Sequence, residues 1–130
     1  MKHENALAIG LSAATPVEPG NFSGTWINEQ RSRMTLTVSG DQVMGVYASV
    51  VGGNAAPLRG FLAGAVSGRV IAFSVNWQNG AITGGIGHLV AMAGGEWLET
   101  CWYLAYSTPN PDDLSELWVS VMSGTDHFHR

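Results

Sequence analysis

The chain has 130 residues, only 12% of them charged, and a formal net charge of -4. This length suits one domain with a buried core, and the lack of a basic run excludes the electrostatic footprint of a nucleic-acid-binding protein. Sparse charge, 17 glycines and five tryptophans are typical of a compact all-β protein that associates with copies of itself. The single cysteine, Cys101, excludes an internal disulfide, and its apolar surroundings in the sequence predict an inert buried thiol.

Residues 1–20 precede the predicted domain. Residues 6–14 have the length of the hydrophobic region of a signal peptide, but Lys2 supplies little positive charge and Glu4 opposes it. Two predictions stay open for this segment: a disordered arm, or the remnant of a leader that directs the protein to the periplasm or the medium. No stretch has the length of a transmembrane helix, so no membrane partner is expected.

Short runs of β-branched and aromatic residues follow, and each ends at glycine, proline or asparagine. They predict eight strands, at residues 24–28, 34–38, 43–49, 58–65, 69–77, 83–93, 97–106 and 118–125. Pairs such as Ser67-Gly68 and Asn79-Gly80 lie between them and suit tight turns. We therefore predict an all-β domain over residues 21–130, an eight-stranded antiparallel up-and-down β-barrel, with a two-sheet sandwich as the alternative.

Residues 28–33, between the first two predicted strands, are all polar. A two-residue turn would be enough to join two strands of a hairpin, so this longer polar segment indicates a binding loop. Its side chains, which include the amide of Asn28 and the hydroxyl of Ser32, are therefore expected to face a binding partner.

Side chains two residues apart on a strand point to the same side of the sheet. This rule gives four shared faces: Trp26 with Asn28, Tyr47 with Ser49, Phe73 with Val75 and Trp77, and Trp102 with Leu104. Each aromatic residue alone is also typical of an ordinary core. A buried amide or hydroxyl without a partner, however, costs about 1–3 kcal/mol. If these faces point inward, the mixture of rings and polar groups predicts a ligand pocket inside the barrel.

Several segments are similar, in the same order, to those of the avidins and streptavidins, a family of biotin-binding β-barrel proteins. They are GTWIN (24–28) with Ser32, GVYASVVG (45–52), IAFSVNWQN (71–79), CWYL (101–104) and LWVSVMSGTDHF (117–128). The resemblance extends from about Phe22 to the last residue of the sequence.

The resemblance implies a role for each matching residue. Asn28, Ser32 and Tyr47 correspond to donors to the ureido oxygen of biotin, and Ser49 and Asp126 to acceptors from its two N–H groups. Thr83 corresponds to the hydroxyl that contacts the thioether sulfur. Phe73, Trp77, Trp102 and Leu104 correspond to walls of the pocket. Val51 and Gly53 correspond to a lid loop over its mouth. Trp118 corresponds to a tryptophan that closes the pocket of another subunit.

The resemblance also implies a non-enzymatic, secreted or periplasmic protein that binds biotin, needs no cofactor and forms a homo-oligomer, with a tetramer favoured and a dimer as the alternative. Ala81 and Gly85 stand where the family commonly has a serine and a tryptophan. These departures predict that one carboxylate contact and one apolar wall are missing. They leave a different small molecule, or a derivative of biotin, as the alternative ligand.

An enzyme with a metal site is the alternative class of function. Asp126, His127 and His129 lie close together in the sequence, but no second cluster of cysteine or histidine supplies further ligands. No serine lies in a G-x-S-x-G motif. We therefore expect neither a bound metal nor catalytic residues.

Overall fold

The computed structural model describes residues 1–13, 18–50, 57–110 and 112–130, without the side chains of residues 12, 13, 116, 118 and 119. Its elements in chain order are α1 (His3–Ala13), β1 (Gly24–Asn28), β2 (Arg33–Ser39), β3 (Gln42–Ser49), β4 (Leu58–Ser67), β5 (Val70–Asn76), β6 (Ala81–Met92), β7 (Gly95–Tyr106), α2 (Leu114–Val119) and β8 (Val121–His129). Each strand pairs antiparallel with the next, and β8 pairs with β1 to close the barrel. The predicted barrel is confirmed, and the sandwich alternative is wrong.

The barrel has two different ends. Tight turns join β2 to β3, β4 to β5 and β6 to β7 at one end, which we call the turn end. Gly40 and Gly68 in two of these turns have φ of 63° and 57°, values that glycine adopts without strain. The other four connections lie at the opposite end, the loop end. An antiparallel up-and-down order therefore brings the polar segment after β1 to the same end as the connections that follow β3, β5 and β7.

Alternate residues of each strand point into the barrel. On β5, Ile71, Phe73 and Val75 are buried while Ala72 and Ser74 between them are exposed. The apolar core fills the turn end and the middle, with Phe22, Trp26, Met34, Leu36, Val43, Leu62, Ile71, Val75, Leu89, Leu98 and Phe128 at its centre. Burial of this many apolar side chains supplies the main driving force for folding.

The predicted start of the last strand at Trp118 is wrong, because Trp118 lies in α2 and β8 begins at Val121. Asp113 caps this short helix: its Oδ1 accepts hydrogen bonds from the Ser115 backbone N–H at 3.0 Å and from the Ser115 hydroxyl at 2.7 Å. A side-chain acceptor before the first turn favours helix over strand.

Two further expectations change with the structure. Residues 3–13 form α1 instead of a disordered arm, while a leader stays a prediction. Neither described helix is long and apolar enough to cross a membrane. Cys101 is exposed rather than buried, because Thr100 and Trp102 on either side of it point into the barrel.

Candidate functional site

A cavity of about 150 Å³ lies inside the barrel near the loop end. The predicted site residues that line it are Tyr47, Ser49, Phe73, Trp77, Thr83, Trp102, Leu104 and Asp126. Sequence reasoning missed two lining residues, Thr100 and Phe128. Each is two positions from a predicted residue on the same strand, Trp102 or Asp126, so the period-two rule contained the signal needed to find them.

Asn28 lies behind the cavity with its amide orientation fixed by the loop after β1. Its Oδ1 accepts hydrogen bonds from the backbone N–H groups of Gln30 at 3.0 Å and Ser32 at 2.9 Å. With the carbonyl oxygen held in this way, the amide nitrogen is directed toward two residues that line the cavity. There, Nδ2 lies 3.3 Å from the Tyr47 hydroxyl and 3.4 Å from Asp126 Oδ2.

The same loop contains a strained residue. Arg31 has φ of 67°, in the left-handed region that is unfavourable for a residue with a side chain. Three hydrogen bonds hold the turn closed. Two go to the side-chain Oδ1 of Asn28, and the third goes from the Arg31 N–H to the backbone oxygen of Asn28 at 2.9 Å. The loop therefore keeps its donor in place at the expense of local strain.

Ser32 and Ser49 form a second polar pair at this position. Ser32 is buried, and its hydroxyl lies 3.5 Å from the Ser49 hydroxyl. The Val50 backbone N–H donates to the Ser32 oxygen at 3.3 Å. Because that oxygen already accepts a bond, the Ser32 proton is available for donation, either to Ser49 or to a ligand.

Among the described residues that line the cavity, Asp126 is the one acidic or basic side chain. Burial raises the pKa of this carboxyl, the hydrogen bond from Asn28 lowers it, and the negative charge of Glu29 raises it further. Burial, together with the Asp126 charge, also raises the pKa of Tyr47 far above its usual value, so Tyr47 stays a hydroxyl donor. The site thus combines an acceptor carboxylate with neutral donors.

Aromatic rings form the cavity walls, and polar contacts fix two of them. The Trp77 indole N–H donates to the Thr83 hydroxyl at 2.9 Å, and the Tyr47 ring meets the Trp77 ring edge-on at a centroid distance of 5.5 Å. The Trp102 indole N–H is buried without a hydrogen-bond partner among the described residues, although it is close enough to Asp126 to lower the pKa of that carboxyl. The indole N–H thus lies beside the carboxyl that lines the same cavity.

The space at Gly85, where an apolar wall is expected to be missing, is covered by the ring of Phe73, itself a predicted wall residue. Phe73 is the register partner of Gly85 on β5, and its ring covers the glycine so closely that a Cβ on Gly85 would lie under 3.0 Å from three ring atoms. Trp102 covers Gly124 on β8 in the same manner. Inward-facing glycines therefore give these rings the space in which they lie.

Ala81 is the second of the two departures. It lies at a second cavity of about 290 Å³ that continues from the first toward the loop end. Ser49, Trp77, Thr83 and Leu104 line both cavities, and Leu58, Asn79, Ala81 and Tyr106 line only the outer one. The methyl group of Ala81 offers no hydrogen-bond donor, and the expected loss of one carboxylate contact stays a prediction.

The remaining predicted residues are distributed as follows. Val51 and Gly53 lie outside the described residues, and so does the side chain of Trp118. His127 contacts Glu99, and the His129 ring packs on Trp97. Both histidines point away from the cavity that contains Asp126, and the described residues contain no group of three side chains suited to a metal ion. The metal-site alternative therefore gains no support.

Known proteins share this architecture. A model of the Avidin family matches residues 16–130. The solved biotin-binding protein from chicken is 28% identical, with a TM-score of 0.72 over 85% of this chain and 95% of its own. A rhizavidin-biotin complex is 28% identical, with a TM-score of 0.66 over 83% of this chain and 90% of its own. A search of curated proteins found no match.

Proposed function

The chain belongs to the avidin family, and from that premise we propose that it binds biotin without changing it chemically. One observation carries the proposal: five polar groups from three segments of the chain, residues 28–32, β3 and β8, lie together at and behind one end of the cavity. They are Asn28, Ser32, Tyr47, Ser49 and Asp126. Two similar proteins at 28% identity, the biotin-binding protein from chicken and the rhizavidin solved in complex with biotin, support the same ligand.

The chemistry of these groups is complementary to a cyclic urea. A urea has one carbonyl oxygen, which accepts, and two N–H groups, which donate. The Tyr47 and Ser32 hydroxyls and the Asn28 amide, which donates to Tyr47 and Asp126 in the ligand-free site, are the donors, while Asp126 is an acceptor when ionised. A hydrogen bond to a carboxylate is roughly twice as strong as a neutral one. Because the protein holds these groups before the ligand arrives, binding does not have to order them.

The aromatic walls suit the rest of the molecule. Trp77, Trp102 and Phe73 enclose an apolar space next to the polar end, and Thr83 holds one of the indoles in place. A bicyclic ring and an alkyl chain would bury most of their surface there, which favours binding by about 25 cal/mol per Å² of apolar area.

We further propose that the protein is a homo-oligomer, secreted or periplasmic, in which Trp118 of one subunit closes the pocket of another. The barrel presents an outer face without charged side chains, which we call the neutral face. It comprises the outward positions Phe61, Ala63, Ala65, Ala72, Ser74, Asn76, Ile82, Gly84, Ile86, Cys101, Tyr103, Ala105, Val121, Ser123 and Thr125. Phe61 and Tyr103 are 63% and 64% exposed. Exposed apolar surface of this kind supports association with a second copy.

A derivative of biotin linked through its carboxyl group is the second candidate ligand. The outer cavity, where Ala81 replaces a hydroxyl, leads from the first cavity toward the loop end. A linked ligand would place its amide and following atoms there. Equal affinity for biotin and biotin amide would favour this candidate, whereas a clear preference for the free acid would favour biotin itself.

A competition experiment tests the main proposal. A fluorescent biotin conjugate is bound to the protein and challenged with biotin, desthiobiotin and lipoic acid. The first two contain the cyclic urea, whereas lipoic acid has a sulfur ring and the same acid chain without a urea. We expect biotin and desthiobiotin to displace the conjugate and lipoic acid to leave it bound. Displacement by lipoic acid at similar concentrations would show that the urea is not what the site recognises.

A further inference from the structure

The barrel closes through a short seam next to the polar groups. β1 and β8 are joined by only two register pairs, Ile27 with His129 and Asn28 with Phe128. Beyond Asn28 the backbone ladder ends, and a side chain continues it: the Glu29 carboxylate accepts a hydrogen bond from the His127 backbone N–H at 3.0 Å. The Glu29 carboxylate thus accepts the hydrogen bond that a backbone carbonyl of β1 would accept if the ladder continued.

The position of this bond relates it directly to the site. Glu29 follows Asn28, the amide donor, and His127 follows Asp126, the acceptor. The bond therefore ties together the two backbone segments whose side chains lie 3.4 Å apart in the site. Because the strands are not otherwise paired here, the Glu29 bond limits how far Asn28 and Asp126 can separate.

The charges around Asp126 give Glu29 a second effect. Two groups face Asp126 from other elements: Tyr47 from β3 and Glu29 from the loop after β1. On β8, His127 follows Asp126 in the chain, and its ring contacts Glu99 on β7. Burial is the largest cause that raises the pKa of Asp126, and the Glu29 charge adds to it. A like charge nearby disfavours the ionised carboxyl that a urea N–H requires.

We propose that Glu29 is a positioning residue for the ureido site, one that holds Asn28 and Asp126 at their working separation and whose charge raises the pH at which acid begins to weaken ligand binding. This inference rests on the proposed function. It assigns to an exposed loop residue a role that acts through its neighbours, without contact with the ligand.

Three variants separate the hydrogen bond from the charge. Glu29→Gln keeps an acceptor for the His127 N–H and removes the charge, whereas Glu29→Ala removes both. Asp41→Asn, in the turn between β2 and β3 at the far end of the barrel, is the control for net charge. Biotin dissociation rates and affinities are measured from pH 4 to pH 8, and the Asp126 carboxyl is titrated by NMR in the ligand-free proteins.

We expect Glu29→Gln to lower the pKa of Asp126, to retain affinity to lower pH than the wild type, and to keep the wild-type dissociation rate at pH 7. Glu29→Ala should release biotin about tenfold faster, since one charge-assisted bond is lost from the seam. The control should match the wild type throughout.

An unchanged Asp126 titration in Glu29→Gln, or wild-type dissociation from Glu29→Ala, would overturn the proposal. If the wild-type protein does not bind biotin, the proposed function fails, and the NMR titration of the ligand-free proteins still decides whether Glu29 acts on Asp126.

Discussion

Asp126 puts a carboxylate inside a largely apolar cavity. Its raised pKa means that burial in the ligand-free fold disfavours the ionised form relative to water. A urea N–H, in contrast, requires the ionised form as acceptor. The side chain therefore favours the ligand complex over the free protein. Such a conflict between stability and function is typical of binding sites.

Asp126→Asn tests this conflict through its pH dependence. Wild-type affinity should be constant above the raised pKa of Asp126 and fall by about tenfold per pH unit well below it. The variant should lose this pH dependence and bind biotin about 10–100-fold more weakly at pH 7, because it lacks a bond of about 1.5–3 kcal/mol to a charged group. Calorimetric titrations between pH 3 and pH 8 measure both effects.

The same variant should be more stable than the wild type when no ligand is present. The folded-state pKa lies above the unfolded one, so the contribution of Asp126 to stability is complete at low pH and is lost as pH rises through the folded value. Ligand-free Asp126→Asn should accordingly melt at a higher temperature at pH 7. A lower melting temperature, or an acid limb identical to that of the wild type, would show that Asp126 does not have the assigned role.

Gly85 and Gly84 offer a matched pair of substitutions on one strand. A Cβ at Gly85 would lie under 3.0 Å from the Phe73 ring, whereas a Cβ at Gly84 would meet nothing within 4 Å. Gly85→Ala should push the ring into the cavity and weaken biotin at least tenfold, since overpacking costs about 1–3 kcal/mol. In the same biotin titration Gly84→Ala should change affinity less than twofold, because it adds only one methyl group to the neutral face and that group meets nothing within its own subunit. Equal effects, or no rescue of Gly85→Ala by Phe73→Leu, would contradict this account of the wall.

Period-two alternation on single strands predicted most of the cavity correctly from the sequence. Thr100 and Phe128 obey the same rule and were missed only because the rule was not extended along β7 and β8. That rule also places Cys101 opposite Trp102, which is why the thiol is exposed. The cover that Phe73 gives Gly85 could not be predicted, because it depends on the register between two strands.

At the scale of elements, the loop after β1 is held in one conformation by its own hydrogen bonds. Asn28 closes it through two backbone N–H groups, and the closed loop directs the amide nitrogen to Tyr47 and Asp126. Polar composition predicted a binding loop here, and the resemblance supplied the residues. Nothing in the composition predicts the positive φ of Arg31 or the bond between Glu29 and His127, which joins residues 98 positions apart.

Asn28→Ala tests whether this loop is held by its own asparagine. The buried Ser32 N–H would lose its partner, so we expect a loss of about 1–3 kcal/mol in the free energy of unfolding together with weaker biotin binding. Asn76→Ala is the control, because Asn76 makes a similar bond to the Gln78 N–H at 2.8 Å but points outward from β5. Urea denaturation and biotin titration of both variants are compared. A loss of affinity in Asn76→Ala equal to that in Asn28→Ala would mean that the effect is not specific to the site.

The last connection shows where strand patterns mislead. Trp118 is followed by alternating apolar residues, which predicts a strand, but the acidic residues before it start a helix capped by Asp113. An aspartate followed three residues later by a glutamate is a helix-start signature, and Asp113 with Glu116 fits it. The signal was present in the sequence and outweighed the apolar alternation.

At the scale of the whole molecule, closure removes the edges of the sheet, and the neutral face remains as the surface that we propose for self-association. A face without charge meets its copy without electrostatic repulsion, even though the net charge is -4. Low overall charge predicted such a surface from composition alone, but its position required the strand register.

Ile86→Glu tests self-association through this face. Ile86 is 56% exposed on β6, so a charge there should be tolerated by the fold but should disrupt contact with a second copy. We expect the wild type to be an oligomer by light scattering and the variant to be a monomer with weaker biotin binding. Thr37→Glu, outward on β2 on another part of the barrel, should keep the wild-type mass. A wild-type monomer, or an Ile86→Glu oligomer, would show that this face is not the interface.

The central claim is that polar groups arranged before binding receive a cyclic urea at the inner end of the cavity. A crystal structure of the protein with biotin tests it most directly. The predicted result has the ureido oxygen within hydrogen-bond distance of the Asn28 amide nitrogen and the Ser32 and Tyr47 hydroxyls, with one ureido N–H donating to Asp126. A cavity without density for biotin at saturating concentration, or a urea directed toward the loop end instead, would contradict the account.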